Sequence, residues 1–265
     1  MKRSVLIISV FILCVSFTAD GWKPLFTIKT ASDFFTTDNI GNIYTVKGDE
    51  IRKYNPNGEL LKIYSNKKLG KITSVDASNA LRVLVFYKDF ARIVLLDSQL
   101  SENGEGISLE QLNLEQSDLS CTSFNNGLWL YNRQNAELVR VDEGMNKVVN
   151  TGNLNRLLST ELHPNYLMEY NGYVYLNNPA DGILVFDIYG TYYKTIPLKN
   201  LRAFQLNEEE IYFYENKQLK AYQTKLLNEY TMPVPDTSIS NARVDKGRFY
   251  FEYADSVSVK EFSKQ

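Results

Sequence analysis

The stretch DNIGNIYTVKGDEIRKYNPNGELLKIY, residues 38–64, reads as three short β-strands joined by tight turns. NIYTV, IRKY and ELLKIY concentrate β-branched and aromatic residues, which fit a pleated, packed surface. NIGN, KGDE and YNPNGE between them hold the Asn, Asp, Gly and Pro that turns require. A meander this small cannot bury two faces alone, so the stretch makes sense only as one copy of something repeated.

It does repeat. IRKY (51–54) returns as IVLL (93–96), LVRV (138–141), ILVF (183–186), LKAY (219–222) and VKEF (259–262), at intervals of about 40 residues. Upstream of each lies an aromatic-rich strand: NIYTV, RVLVFY, LWLYN, YVYLN, IYFYE and RFYFEY. Upstream again comes a third: DFFTTD, ITSVDA, LSCTSF, NYLMEY, RAFQLN and NARVDK. A fourth follows the IRKY-type strand in ELLKIY, KVVNT, YYKTIPL and NEYTM, and several copies open the turn before it with Asn or Asp. Four antiparallel strands per unit and six units predict an all-β, six-bladed β-propeller.

The ends of the chain predict how the ring closes. The last unit stops after its third strand, and PLFTIKT (24–30) precedes the first unit as a strand without a partner. Pairing the two completes the last blade and removes an exposed edge.

The motif D-x-x-GNIY-x-V…I-x-KY-x-x-x-GELL resembles a repeat of the NHL family and related six-bladed propellers. The Lys-, Asn-, Ile- and Tyr-rich composition is similar to that of exported propellers of Bacteroidota. The architecture is also similar to the periplasmic TolB-type and BamB-type propellers, which implies a place in cell-envelope machinery. No residue-level motif of either type is matched, so no functional residue follows from them.

The opening MKRSVLIISVFILCVSFTAD has the form of a secretory signal peptide, assigned to residues 1–19, with residues 20–265 as a single propeller domain. Lys2 and Arg3 form its basic start, and its apolar run from Val5 to Phe17 is short for a bilayer span. Leu13 before Cys14 does not fit a lipid-attachment site. Loss of Lys2 and Arg3 leaves 27 of the 29 basic side chains against 31 acidic ones, a formal charge of −4 that suggests no nucleic-acid partner. Cys121 is then unpaired, and in the alternating segment DLSCTSF it reads as a small core residue.

With one histidine, His163, neither a histidine relay nor a His-based metal centre is expected. No phosphate loop and no G-x-S-x-G elbow occurs, and no cofactor is expected. Two groups of candidate residues remain. Asp38, Asp76, Glu169, Asn207 and Asp245 recur near the ends of the first strands and could converge on one mouth of the channel, as an oxygen-only metal site or as turn caps. The long connection 152–165 places Leu154, Leu157, Leu158 and Leu162 at helical spacing, and with Arg156 and His163 it is the first interface candidate. Tyr166, Tyr189, Tyr192 and Tyr193 are candidate exposed aromatics.

Together these features predict a non-catalytic periplasmic propeller that docks on an envelope or outer-membrane assembly or secretion complex. It would be peripheral to the membrane at most and would not pair with itself. A glycan- or small-ligand-binding propeller is the first alternative and a metal-assisted hydrolase or lyase the second. Full secretion is the other destination that the same leader allows.

Overall fold

The computed structural model describes residues 21–263, and the signal-peptide assignment lies outside them. β1 (Trp22–Lys29) comes first. Blade 1 follows as β2 (Phe34–Thr37), β3 (Ile43–Lys47), β4 (Glu50–Tyr54) and β5 (Leu60–Ser65). Blade 2 is β6 (Ser74–Asp76), β7 (Val83–Tyr87), β8 (Arg92–Leu96) and β9 (Ile107–Ser108); blade 3 is β10 (Ser117–Thr122), β11 (Leu128–Asn132), β12 (Glu137–Val141) and β13 (Lys147–Asn150). After the one-turn helix α1 (Leu154–Leu158), blade 4 is β14 (Tyr166–Tyr170), β15 (Tyr173–Asn178), β16 (Gly182–Asp187) and β17 (Tyr192–Ile196). Blade 5 is β18 (Gln205–Asn207), β19 (Glu210–Glu215), β20 (Gln218–Gln223) and β21 (Asn228–Met232). Blade 6 is β22 (Asn241–Asp245), β23 (Arg248–Glu252) and β24 (Ser256–Phe262). All six sheets are antiparallel and four-stranded, and β1 supplies the outer strand of blade 6.

The expected closure is therefore present. β1 pairs along β24 from Trp22↔Phe262 to Lys29↔Ser256, with one irregularity between Pro24 and Phe26. Trp22 stands edge-on to Phe249 and Phe251, with centroids 5.0 and 5.1 Å away, and packs on Phe262 at 4.9 Å. The first strand of the chain is thus pinned into its last blade by both backbone pairing and aromatic packing.

The core is a ring of six apolar clusters, each between two consecutive blades. Strand alternation builds them: Val83, Val85 and Tyr87 of β7 face blade 1, whereas Leu84 and Phe86 of the same strand face blade 3. All five residues of β7, β11 and β12 are buried, as middle strands sandwiched between sheets must be. The clusters continue between blades 3 and 4, 4 and 5, 5 and 6, and 6 and 1.

The turns after the IRKY-type strands confirm the Asx reading. The Oδ1 atoms of Asn55, Asp97 and Asp187 each accept two backbone N–H bonds, from Asn57 and Glu59, Gln99 and Ser101, and Tyr189 and Thr191. The position of positive φ in each is Gly58, Leu100 and Gly190. Blade 2 departs from the pattern in its outer strand, which has only two residues. The segment SENGEG before it holds Gly104 and Gly106 at positive φ and offers no alternating run to pair.

Candidate functional site

Antiparallel order sorts the connections onto two faces. Turns after the first and third strand of each blade open on one, called here the upper face. Turns after the second strand and the crossovers between blades open on the lower.

The channel-mouth candidates lie at or near the upper ends of the inner strands, and hydrogen bonding explains most of their recurrence. Asp38 accepts from the N–H groups of Ile40 and Asn42, from Asn42 Nδ2 and from the Tyr44 hydroxyl at 2.7–3.0 Å, which locks the first turn of blade 1. Asp76 accepts from Ser78 N at 2.9 Å and reaches blade 3 through Thr122 N at 2.8 Å and Thr122 Oγ1 at 2.7 Å. Glu169 on blade 4 accepts from Ser123 Oγ, Phe124 N and the buried Trp129 Nε1 of blade 3 at 2.6, 3.0 and 2.7 Å. Asp245 is half-buried; burial pushes its carboxyl above the ordinary range, against the pull of Lys246 and Arg243. Asn207 is half-buried at the end of β18. Among the described residues, no three His, Cys, Asp or Glu side chains gather as a metal site. Cys121 is buried, and burial raises its thiol well above the usual value, which leaves it no thiolate character.

The connection 152–165 sits on the lower face and uses its leucines inwardly. Asn153 caps α1 by accepting from Arg156 N at 2.8 Å. Leu154 and Leu162 are buried, and Leu158 packs beside them, in the cluster between blades 3 and 4. What remains outside is Arg156, Leu157 and His163, whose Nε2 lies 3.6 Å from Glu161. The apolar stripe read from the sequence is therefore largely inter-blade packing.

The tyrosines divide. Tyr166 is not on the outer surface as expected: it lies on an inner strand, stands edge-on to Phe204 at 5.2 Å and lines the central cavity. Burial pushes its hydroxyl up to about 12. Tyr192 is half-buried against Phe186 at 5.7 Å, whereas Tyr193 is exposed on β17, paired with Tyr173 at 5.8 Å. Tyr189 is exposed in the adjoining turn.

Two features escaped the sequence reading. The outermost strand of blade 1, β5, exposes Leu60 (51%), Leu61 (46%) and Ile63 (51%) in a row. The other outer strands expose at most one large apolar side chain each: Val148 on β13, Tyr193 on β17 and Tyr230 on β21. The signal was present in ELLKIY, which is apolar on both faces although an outermost strand needs only one. The second is a partly enclosed central cavity of about 130 Å³, lined by Thr36, Ser74, Ser120, Tyr166 and Arg243 from five blades. It adjoins an open groove of about 210 Å³ on the upper face, where Arg82 and Phe124 stand beside Glu169. The alternation in NARVDK, with Ala242 and Val244 packed against blade 5, is what turns Arg243 to the axis.

No protein-family model matches the chain, and no curated protein matches it in sequence. Solved structures similar to it are propellers. Virginiamycin B lyase from Staphylococcus aureus is 13% identical with a TM-score of 0.58, over 86% of this chain and 80% of that one. The Pan2 WD40 domain of Neurospora crassa is 9% identical with a TM-score of 0.64, over 92% and 96%. The extracellular domain of a putative hybrid two component system from B. thetaiotaomicron is 14% identical with a TM-score of 0.56, over 85% of this chain and 33% of that one. At these identities the likeness establishes the propeller fold and nothing about activity.

Proposed function

We propose that the protein is an exported, non-catalytic docking propeller of NHL-like type, a periplasmic subunit of a cell-envelope complex in a bacterium of the Bacteroidota. The observation that carries this reading is the apolar row on β5. It is the free edge of its sheet, and it places Leu60, Leu61 and Ile63 in water. Exposed aliphatic residues in a row on an edge strand mark a surface that another chain covers.

The chemistry around the row describes the occupant. Lys62, Lys67 and Lys68 are exposed beside it with no ion-pair partner among the described residues, and Lys71 pairs only at 3.9 Å with Asp33. An envelope protein that offers an aliphatic strand or ridge rimmed by Asp and Glu would be complementary to it. The extracellular sensor domains among the similar structures support export, as does the leader-like start of the sequence. The lyases among them leave the enzymatic alternative where the sequence put it, because Asp38, Asp76 and Glu169 are engaged in holding turns and blades.

Cross-linked affinity purification of the tagged protein from envelopes, run beside the double variant Leu61→Asp/Ile63→Asp, tests the reading. A single envelope protein recovered in near-equal amount with the wild type and lost with the variant is expected. Retention of that partner by the variant removes β5 as the contact. Recovery of a second copy of this chain, or of nothing, overturns the docking role.

A further inference from the structure

Arg243 is half-buried on blade 6 and lines the central cavity, where its Nε is sealed from solvent with no acceptor. The guanidinium makes no hydrogen bond or ion pair with any described residue. Arginine cannot discard its charge, so a half-buried guanidinium with a sealed, unpaired N–H and no ion pair is a costly group for a fold to keep. Facing it from the opposite side of the ring, Ser120 on β10 carries a second buried polar atom without a partner. Orphaned polar groups from two opposed blades in one cavity point to a shared occupant.

We propose that the central cavity binds a small organic monocarboxylate, with the carboxylate on Arg243 and a hydroxyl or carbonyl toward Ser120. A planar guanidinium fork matches a carboxylate through two parallel hydrogen bonds. The volume of about 130 Å³ accommodates roughly four to six non-hydrogen atoms, given about 30 Å³ for each water in the liquid. Charge limits it further. Asp76 and Glu169 line the same cavity and Asp245 lies near Arg243, so each negative charge on a ligand meets repulsion, and only a single carboxylate set directly on Arg243 has a compensating contact. Thr36, Ser74 and the Tyr166 hydroxyl add neutral polar groups to the lining, which suits a hydroxy acid of lactate size. This site is independent of the docking surface on β5.

The test is calorimetry and thermal melting of the purified protein in carboxylate-free buffer at constant ionic strength, with acetate, lactate, succinate, phosphate and chloride as probes. Lactate and acetate are expected to raise the melting temperature, with succinate and phosphate clearly weaker. Arg243→Met should weaken lactate by at least about tenfold, since a charge-assisted bond inside the cavity is lost. Arg243→Lys should bind it at an intermediate level, and Ser120→Ala should weaken lactate more than acetate. Should Arg243→Met not fold, the lysine and alanine variants carry the same comparison. No shift with any monocarboxylate, an equal shift with chloride, or undiminished lactate binding in the variants overturns the proposal.

Discussion

Gly58 lies at φ +84° in the turn before β5, and a Cβ there would overlap the ring of Phe26 on β1. Both the backbone conformation and the close approach require glycine, so Gly58→Ala should cost about 1–3 kcal/mol in a urea melt. Glu169 is the sole acceptor of the buried Trp129 N–H. Glu169→Ala leaves that donor unpaired and should cost about 2–3 kcal/mol with a change in tryptophan emission, whereas Glu169→Gln, which keeps an acceptor, should cost less. Asp245 gives a pH signature. Burial raises its carboxyl above the ordinary 3.8, so the native state takes up the proton first and stability falls as pH rises from about 3.8 through the raised value. Asp245→Asn should therefore raise the melting temperature at pH 8 and have little effect below pH 3.8; an equal effect at both would separate the shift from the charge. At this scale the sequence was legible wherever a side chain bonds its own turn, as Asn55 and Asp187 do. It placed Glu169 near the channel mouth without its bonds to blade 3, and it was silent on Arg243, because the surroundings of both come from other blades, about 40 residues or more away in the chain.

β1 is the element whose role was clearest beforehand, because a lone strand at one end and a three-stranded unit at the other can satisfy their edges only by pairing. Trp22 is its anchor among Phe249, Phe251 and Phe262. Trp22→Ala should cost about 3–4 kcal/mol, and deletion of residues 20–32 should destabilise the whole ring, as both remove packing that nothing else replaces. Urea melts of the two variants check this, and loss of only the amplitude expected for one blade would show that the ring does not depend on closure. α1 shows why a connection was harder to read. Leucines at helical spacing predict an apolar stripe, but the stripe does not say whether it faces a partner or the chain itself. Leu154 and Leu162 enter the cluster between blades 3 and 4 because the crossover passes directly over that seam. β5 is the converse, for its apolar residues were visible while their exposure depended on its being outermost.

The whole molecule is a closed ring of six inter-blade cores, and among the described residues its single cysteine, Cys121, is buried and free. Closure thus rests on β1–β24 pairing and on contacts across the seam such as Lys246 Nζ to Asn39 O at 2.5 Å, Arg248 to Pro56 O at 2.6 Å and Ser32 Oγ to Glu252 at 2.6 Å. A ring has no privileged starting point, so the seam should be movable. Ser263 N donates to Gly21 O at 2.8 Å, which brings the two ends of the described chain together on the upper face. Joining them by a short Gly/Ser linker and reopening the chain at the exposed turn Glu143–Gly144 would make β13 the closing strand of blade 3, in the position β1 now holds in blade 6. Because the number of strands, pairings and cores is unchanged, the permutant is expected to fold, to melt in one transition and to remain within a few degrees of the parent. A much lower melting point would mean that the aromatic seat of Trp22, and not ring topology, sets the stability of the closure. In that event Trp22→Ala in the permutant should cost as much as in the parent, although the strand is no longer at an end.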